Sequence, residues 1–347
     1  MSTPKGKPLR VGVVGCGGIA QIVHIPILAR LKAARLTALC DVDVQKAAIL
    51  ANRFDVPSVY GDIEEMIEGS QLDAVFILTP NSLHLPMTLL ALANGLHVFV
   101  ERPAGRNAEE ASKIAAAARS AERNVMVGMH SRFRPDLRHL HTYIQEQRFG
   151  KVFFVKAEWL QAKFEAVREE WLLSSSIAGG GVLMDLGLQL VDTTWWLVGR
   201  PPLQSVKAHQ TRVDPQLSVE DFCSFYLRFA NDVKLSAHVS WNFPIARDRF
   251  FAEVFGANGS CTLNPFRIEK IWQGKSLNIT PQTHTSGRIL FRMAYEAEIR
   301  HFVQFLTGNA AVLESTIDEA VEVMGIIDAI YRSLHTNREI RAESGGA

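Results

Sequence analysis

The sequence predicts an α/β fold in two domains, the first a doubly wound parallel sheet over residues 1–128 and the second covering 129–347. Three observations predict it. Short β-branched runs alternate with helical patterns through the first 128 residues, the pattern of a parallel sheet with crossover helices. Those runs are almost continuously apolar, as strands covered on both faces must be. And 347 residues exceed one ordinary core, so a second domain follows.

The elements follow in order. "LRVGVVG" (9–15) is a strand that leads into a helix from about Gly18 to Lys32. "RLTALCD" (35–41) is the next strand, followed by a helix through "VQKAAILANRF". "LDAVFILTP" (72–80), "GLHVFVE" (95–101) and "NVMVGM" (124–129) are further strands, and "NAEEASKIAAAARSAER" (107–123) is the clearest helix. In the second domain "KVFFVKAEWLQA" (151–162) alternates like a half-buried strand. "DFCSFYLRFANDVKLSAHVSWNF" (221–243) reads as two strands around an Asn231-Asp232 turn, and 249–265 as a hairpin turning at Gly256 and Gly259. Two helices close the chain.

Composition narrows the function. Hydrophobic residues make up 47% and charged ones 21%, which is globular rather than disordered. Basic and acidic residues number 37 and 36, and that balance argues against a nucleic-acid partner. The stretch Ala74–Val100 holds no Asp, Glu, Lys or Arg and has the length of a membrane span. Pro80, Asn81, His84, Pro86 and Asn94-Gly95 break it into strand, loop, helix, turn and strand, so no membrane partner is expected. "MSTPKGKPLR" has no apolar run of a secretory signal, and the four cysteines form no CxxC pair. Both point to a cytoplasmic protein with reduced thiols.

"GVVGCGGIAQIVH" stands at the first strand–helix junction, where Gly15, Gly17 and Ala20 match G-x-G-x-x-A. Gly15 permits the tight turn, and a bare Gly17 lets a pyrophosphate reach the backbone. Ala20 lets the helix pack on the strand, and the helix start, with Gly18 and Ile19, meets the phosphate charge. Asp41 follows 21 residues after Ala20, at a strand end, placed to accept hydrogen bonds from the adenosine ribose. An acid there opposes a 2′-phosphate and "DVDVQK" brings no Arg, so NAD is expected ahead of NADP.

"TPNSLH" (79–84), "GLHVFVERPAGRNAEEA" (95–111) and "GGGVLMDLGLQLVD" (179–192) resemble the glucose–fructose oxidoreductase, inositol dehydrogenase and rhizopine-catabolism (Gfo/Idh/MocA) family. The resemblance extends to "HSRFRPD" (130–136) and the closing stretch 318–340. It implies a Rossmann domain, then an α/β domain on a large, mostly antiparallel open sheet. It also implies hydride transfer between nicotinamide and a sugar, cyclitol or related polyol, in a homodimer or homotetramer built on the free sheet face. By that resemblance Thr79, Pro80, Asn81 and His84 border the nicotinamide half of the cofactor, with Glu101 and Arg102 beside it. Asn81 reads equally as a helix cap and His84 as an ordinary first-turn histidine. Asp185 is implied to contact substrate, and Trp171 to line the sugar pocket or to be plain core.

Two positions depart from the family pattern. Arg102 stands where members that oxidise a hydroxyl carry lysine, and Gln189 where they carry histidine. Asp185, Gln189 and Asp192 are spaced i, i+4, i+7, which puts them on one face of an α-helix. Arginine stays protonated and glutamine does not titrate, so the usual proton path is missing. A helix-start aspartate is stabilised as the anion and is a poor base. Two functions follow. The first is a working NAD-dependent oxidoreductase with altered catalytic residues Arg102, Asp185 and Gln189. The second is a cofactor-binding, non-catalytic sensor or regulator on the same fold.

Overall fold

The protein is described by a computed structural model covering residues 7–162, 169–281 and 286–342. It divides into two compact units. The first holds residues 1–134 and 287–322, the second 135–286 and 323–347. A boundary drawn at residue 128 therefore leaves out two pieces of the first unit. Packing explains the second piece, 287–322. Tyr295, Ile299, Phe302 and Val303, on the helix Gly287–Leu306, pack into the first unit's core, and Ser315 bonds the Val127 carbonyl at 2.7 Å.

The first unit is built on six strands: β1 (Leu9–Val14), β2 (Ala34–Cys40), β3 (Ser58–Tyr60), β4 (Ala74–Ile77), β5 (His97–Glu101) and β6 (Val125–Gly128). They pair in the order β3-β2-β1-β4-β5-β6, all parallel. The three residues of β3 are too short and too polar at their edges to show as a strand in sequence. Strand order reverses between β1 and β4, and in such sheets ligands bind at the carboxyl ends of the strands there. Three of the helices between strands start on side-chain caps. Asp43 accepts from the Lys46 amide, Asp62 from that of Glu64, and Asn107 from that of Glu110. Under the sheet Phe76 stacks on Phe99 at 4.7 Å and Phe302 meets both edge-on. Truncating one of these rings would cost about 3–5 kcal/mol.

The second unit carries a nine-stranded sheet among the described residues: β7 (Val152–Ala162), β8 (Leu203–Thr211), β9 (Phe222–Phe229), β10 (Lys234–Phe243), β11 (Arg249–Gly256), β12 (Gly259–Leu263), β13 (Arg267–Trp272), β14 (Lys275–Asn278) and β15 (Ile340–Arg341). The order is β14-β13-β12-β11-β7-β10-β9-β8-β15. Only the β7–β10 pair is parallel. Asp232 takes φ 67° in the turn between β9 and β10, as the Asn-Asp pair suggested. One face of the sheet is closed by Val155, Ala157, Leu227, Leu235 and Ala237, all essentially buried.

The segment 179–192 is not a single α-helix. Leu183–Gly187 forms a π-helical turn that runs into the α-helix Leu188–Leu197. A wider turn rotates Asp185 relative to the residues after it, so the even i, i+4, i+7 stripe is broken. Asp185 is half-buried, while Gln189 and Asp192 are buried.

Candidate active site

The predicted site residues fall in both units, and the first unit holds the glycine loop. Gly15 takes φ 89°, and a Cβ there would lie 2.7 Å from the Leu78 carbonyl oxygen. This contact seats the loop after β1 against Leu78 and Thr79, across the point where strand order reverses. At Gly17 and Gly18 a Cβ would meet nothing within 4 Å. The loop therefore faces open space that a side chain would fill, which is the room a pyrophosphate needs. Ile19 and Ala20 lie in the helical segment that begins there, and Ala20 is fully buried. These residues fit a bound dinucleotide.

Asp41, at the end of β2, is nearly buried. Its Oδ2 accepts from the Cys16 amide at 2.7 Å and its Oδ1 from the Asp43 amide at 2.9 Å. Lys46 Nζ stands 3.1 Å from Oδ1. The cation five residues downstream escapes a search for a neighbouring Arg, because the helix capped by Asp43 folds it back. Beside it a cleft of about 350 Å³ is lined by Gln21, Asp43, Gln45, Lys46, Ile49 and Leu50. Cys16 is buried beneath the loop, and burial pushes its thiol up to about 12, so it is an inert filler rather than a redox group.

Thr79, Pro80 and Asn81 form the loop after β4, and Asn81 opens the 3-10 turn Asn81–Leu83. His84 stands between two main-chain oxygens. Its Nδ1 lies 2.7 Å from the Pro103 carbonyl oxygen and its Nε2 2.8 Å from that of Thr79. Burial holds its pKa below the ordinary value despite both carbonyls. A neutral ring carries one N–H, so it donates to one of these two oxygens, and it lies between the loop after β4 and the turn after β5.

Glu101 ends β5 and precedes a cis Arg102–Pro103 bond. Its Oε1 pairs with His24 Nε2 at 2.8 Å, and its Oε2 accepts from the Arg102 amide at 3.2 Å. Burial alone would raise this carboxyl. His24, Arg102 and His130 outweigh that and hold it below the usual carboxylate range. His24 is completely buried, edge-on to Phe76, Phe99 and Tyr295. Nothing in its sequence context marks it as the partner of a residue 77 positions away. Arg102 itself is half-buried.

The second unit holds Asp185, Gln189 and Trp171. The Asp185 carboxylate accepts from the indole Nε1–H of Trp241 at 3.0 Å. Gln189 is 5% exposed, and its Nε2 donates to the Asp185 main-chain oxygen at 3.3 Å. Its Oε1 is buried with no hydrogen-bond partner. A buried acceptor left unpaired costs about 1–3 kcal/mol. Trp171 lies in the 3-10 turn Glu170–Leu173 and is half-buried, so it is not core.

The described residues contain no cluster able to hold a metal ion and no helix long and apolar enough to cross a membrane.

Comparison with known proteins agrees with this geometry. Residues 9–129 match the profile of an oxidoreductase family with an NAD-binding Rossmann fold, and residues 137–262 match the Gfo/Idh/MocA C-terminal domain. D-glucoside 3-dehydrogenase of Escherichia coli is 26% identical, over 98% of this chain and 99% of its own length. The rhizopine catabolism protein MocA of Rhizobium meliloti is 27% identical, over 97% and 98%. Levoglucosan dehydrogenase, solved with NADH and levoglucosan, superposes with a TM-score of 0.86 at 21% identity, over 96% of this chain and 99% of that one. A glycine loop open above Gly17, an acid at the end of β2 and an aspartate-bearing helix beside a mostly antiparallel sheet thus have a common origin: the chain belongs to the Gfo/Idh/MocA family of NAD-binding oxidoreductases.

Proposed function

We propose that the protein passes hydride between NAD and a carbinol or carbonyl carbon of a sugar, cyclitol or related polyol. The observation that carries this reading is Gln189 Oε1, a buried acceptor without a protein donor, one turn from the Asp185 carboxylate. An unpaired amide oxygen and a carboxylate on one helical segment suit a ligand rich in hydroxyl groups. The relatives' names point to the same class, from glucosides to levoglucosan.

Gly15, Gly17, Gly18, Ile19 and Ala20 would hold the pyrophosphate, Asp41 the adenosine ribose, and Thr79–Asn81 the nicotinamide side. Bound NAD supplies the hydride acceptor at nicotinamide C4. Oxidation of CH–OH to C=O also releases a proton; neither Arg102 nor Gln189 can accept it, so it passes to solvent water and that transfer limits the rate. Arg102 stabilises a developing alkoxide or pairs with a carboxylated sugar. Asp185, bonded by the Trp241 indole N–H, holds a substrate hydroxyl. The active form is a homodimer or homotetramer in a reducing cytoplasm, with the free face of the second sheet as the contact.

The same two side chains favour a second reading, a cofactor-binding sensor with no turnover. One experiment separates them: the wild type, both single variants and the double variant Arg102→Lys with Gln189→His, assayed for NADH formation on a sugar and cyclitol panel. The enzyme reading with a rate limited by proton transfer expects slow wild-type oxidation. It expects a gain of up to about 10²-fold in the double variant, rising from pH 6 to pH 9 as the new base deprotonates. Vigorous wild-type turnover destroyed by the double change would show another proton path and end the sensor reading. Tight NAD binding with four inactive proteins would favour the sensor.

A further inference from the structure

Of the three glycines at 179–181, Gly180 and Gly181 are crowded by protein. A Cβ at Gly181 would lie 2.0 Å from the Glu220 main-chain oxygen, and one at Gly180 would lie 1.8 Å from the Tyr331 hydroxyl. Both glycines make room for a buried Glu220–Tyr331 pair. Glu220 is 5% exposed, and its carboxylate accepts from the Gly181 amide at 3.0 Å, the Leu183 amide at 3.1 Å and the Tyr331 hydroxyl at 2.9 Å. Its main-chain oxygen takes the Val182 amide at 2.8 Å. Three consecutive amides at the start of a helix, groups with no intrahelical partner, are thus all satisfied by one residue.

The next residue extends the same anchor. The Asp221 main-chain oxygen accepts from the Trp241 amide at 2.9 Å. The fully buried Asp221 carboxylate accepts from the Val213 and Asp214 amides and from Asn242 Nδ2. Trp241, 1% exposed, then donates its indole N–H to Asp185. Glu220-Asp221 therefore sets both ends of one geometry: where the helix carrying Asp185 and Gln189 begins, and where the donor to the Asp185 carboxylate stands. Misplacing a substrate group by about 1 Å can cost 10²-fold in rate, so such an anchor has a catalytic consequence.

We propose that Glu220, buttressed by Tyr331, is the positioning residue for Asp185 and Gln189, and that Trp241 fixes the Asp185 carboxylate. The proposal rests on the reading of those two residues as the substrate's hydroxyl acceptors. Glutamine at 220 keeps the size but offers one acceptor oxygen where the carboxylate offers two. The loss is therefore of geometry at the helix start rather than of volume.

The test follows the indole ¹H–¹⁵N signal of Trp241, assigned by its absence in Trp241→Phe, in full-length protein with saturating NADH. Asp185→Asn provides the reference displacement. Glu220→Gln should move the signal in the same sense and Tyr331→Phe should move it less, with NADH affinity unchanged in both. With a methyl glucoside or a cyclitol as probe, the wild-type signal should respond and that of Glu220→Gln should respond weakly or not at all. A residue needed only for stability would lower the melting temperature and leave the signal of the folded protein in place. A folded Glu220→Gln with an unmoved Trp241 signal overturns the proposal. If Glu220→Gln does not fold, an unmoved signal in Tyr331→Phe overturns it instead. A signal displaced by Glu220→Gln, in a protein that responds to neither polyol, supports the positioning role and defeats the polyol reading on which its catalytic meaning rests.

Discussion

Lys46 Nζ stands 3.1 Å from Oδ1 of Asp41, so the acid proposed to meet the adenosine ribose carries its own counter-ion. The pair makes cofactor choice a balance. Asp41 opposes a 2′-phosphate, and Lys46 partly offsets that repulsion. Wild-type protein should bind NADH more tightly than NADPH. Asp41→Ala should weaken NADH by about 10–100-fold, the worth of charge-assisted hydrogen bonds, and narrow the gap. Lys46→Gln should widen it. Calorimetry with both cofactors at equal salt measures all three, and a wild-type preference for NADPH would remove Asp41 from this role.

The two motif glycines should separate stability from binding. A side chain at Gly15 meets the Leu78 carbonyl oxygen and must adopt φ 89°, so Gly15→Ala should destabilise the fold by about 1–3 kcal/mol. A methyl at Gly17 projects into open space. Gly17→Ala should melt like wild type yet lose NADH affinity, because the methyl takes the room of the pyrophosphate. Paired melting curves and NADH titrations check this; equal effects of the two changes on both readouts would contradict it.

His130 makes stability depend on pH. Burial drops its pKa from 6.5 to about 3, with Arg102, Arg134 and His24 adding to the drop and Glu101 opposing it. Its ring stacks on Tyr295 at 4.3 Å and meets Phe291 edge-on. Between pH 6.5 and 3 the unfolded chain takes up a proton here that the folded chain refuses. Its contribution is therefore complete above pH 6.5 and is lost as pH falls through that window, by about 1.4 kcal/mol per pH unit at most. His130→Phe keeps the stack and should flatten the slope. Denaturant titrations from pH 7 to pH 4.5 measure it, and parallel curves for the two proteins would exclude His130 as the source.

The second sheet's outer face should join copies of the chain. Phe154 and Phe255 stack there at 6.0 Å, and Tyr226 is 42% exposed, among Lys156, Glu158 and Ser236. Light scattering should return at least twice 38.6 kDa, the mass of one chain. Tyr226→Asp should shift the population toward monomer. A wild-type mass of one chain at micromolar concentration would rule the contact out.

Local chemistry made much of this protein legible in sequence. β1, the loop at Gly15–Gly17 and Asp41 could be read because a phosphate-binding turn needs its glycines within a few residues and its acid at the next strand end. The hairpin at Gly256–Gly259 and the turn at Asp232 were visible for the same reason. Resemblance supplied the second sheet's character and the roles proposed for Asp185 and Gln189. Tertiary structure decided what depends on residues far apart in the chain. His24 reaches Glu101, and Glu220 reaches both Gly181 and Tyr331, because sheet register and helix packing bring them together. The π-turn at Leu183–Gly187 was likewise hidden. Its hydrogen bonds differ from an α-helix by one residue, and the amides just before and at its start are held by Glu220, 39 and 37 positions away. Periodicity records which residues are apolar; it does not record which buried carboxylate waits at the end of the turn.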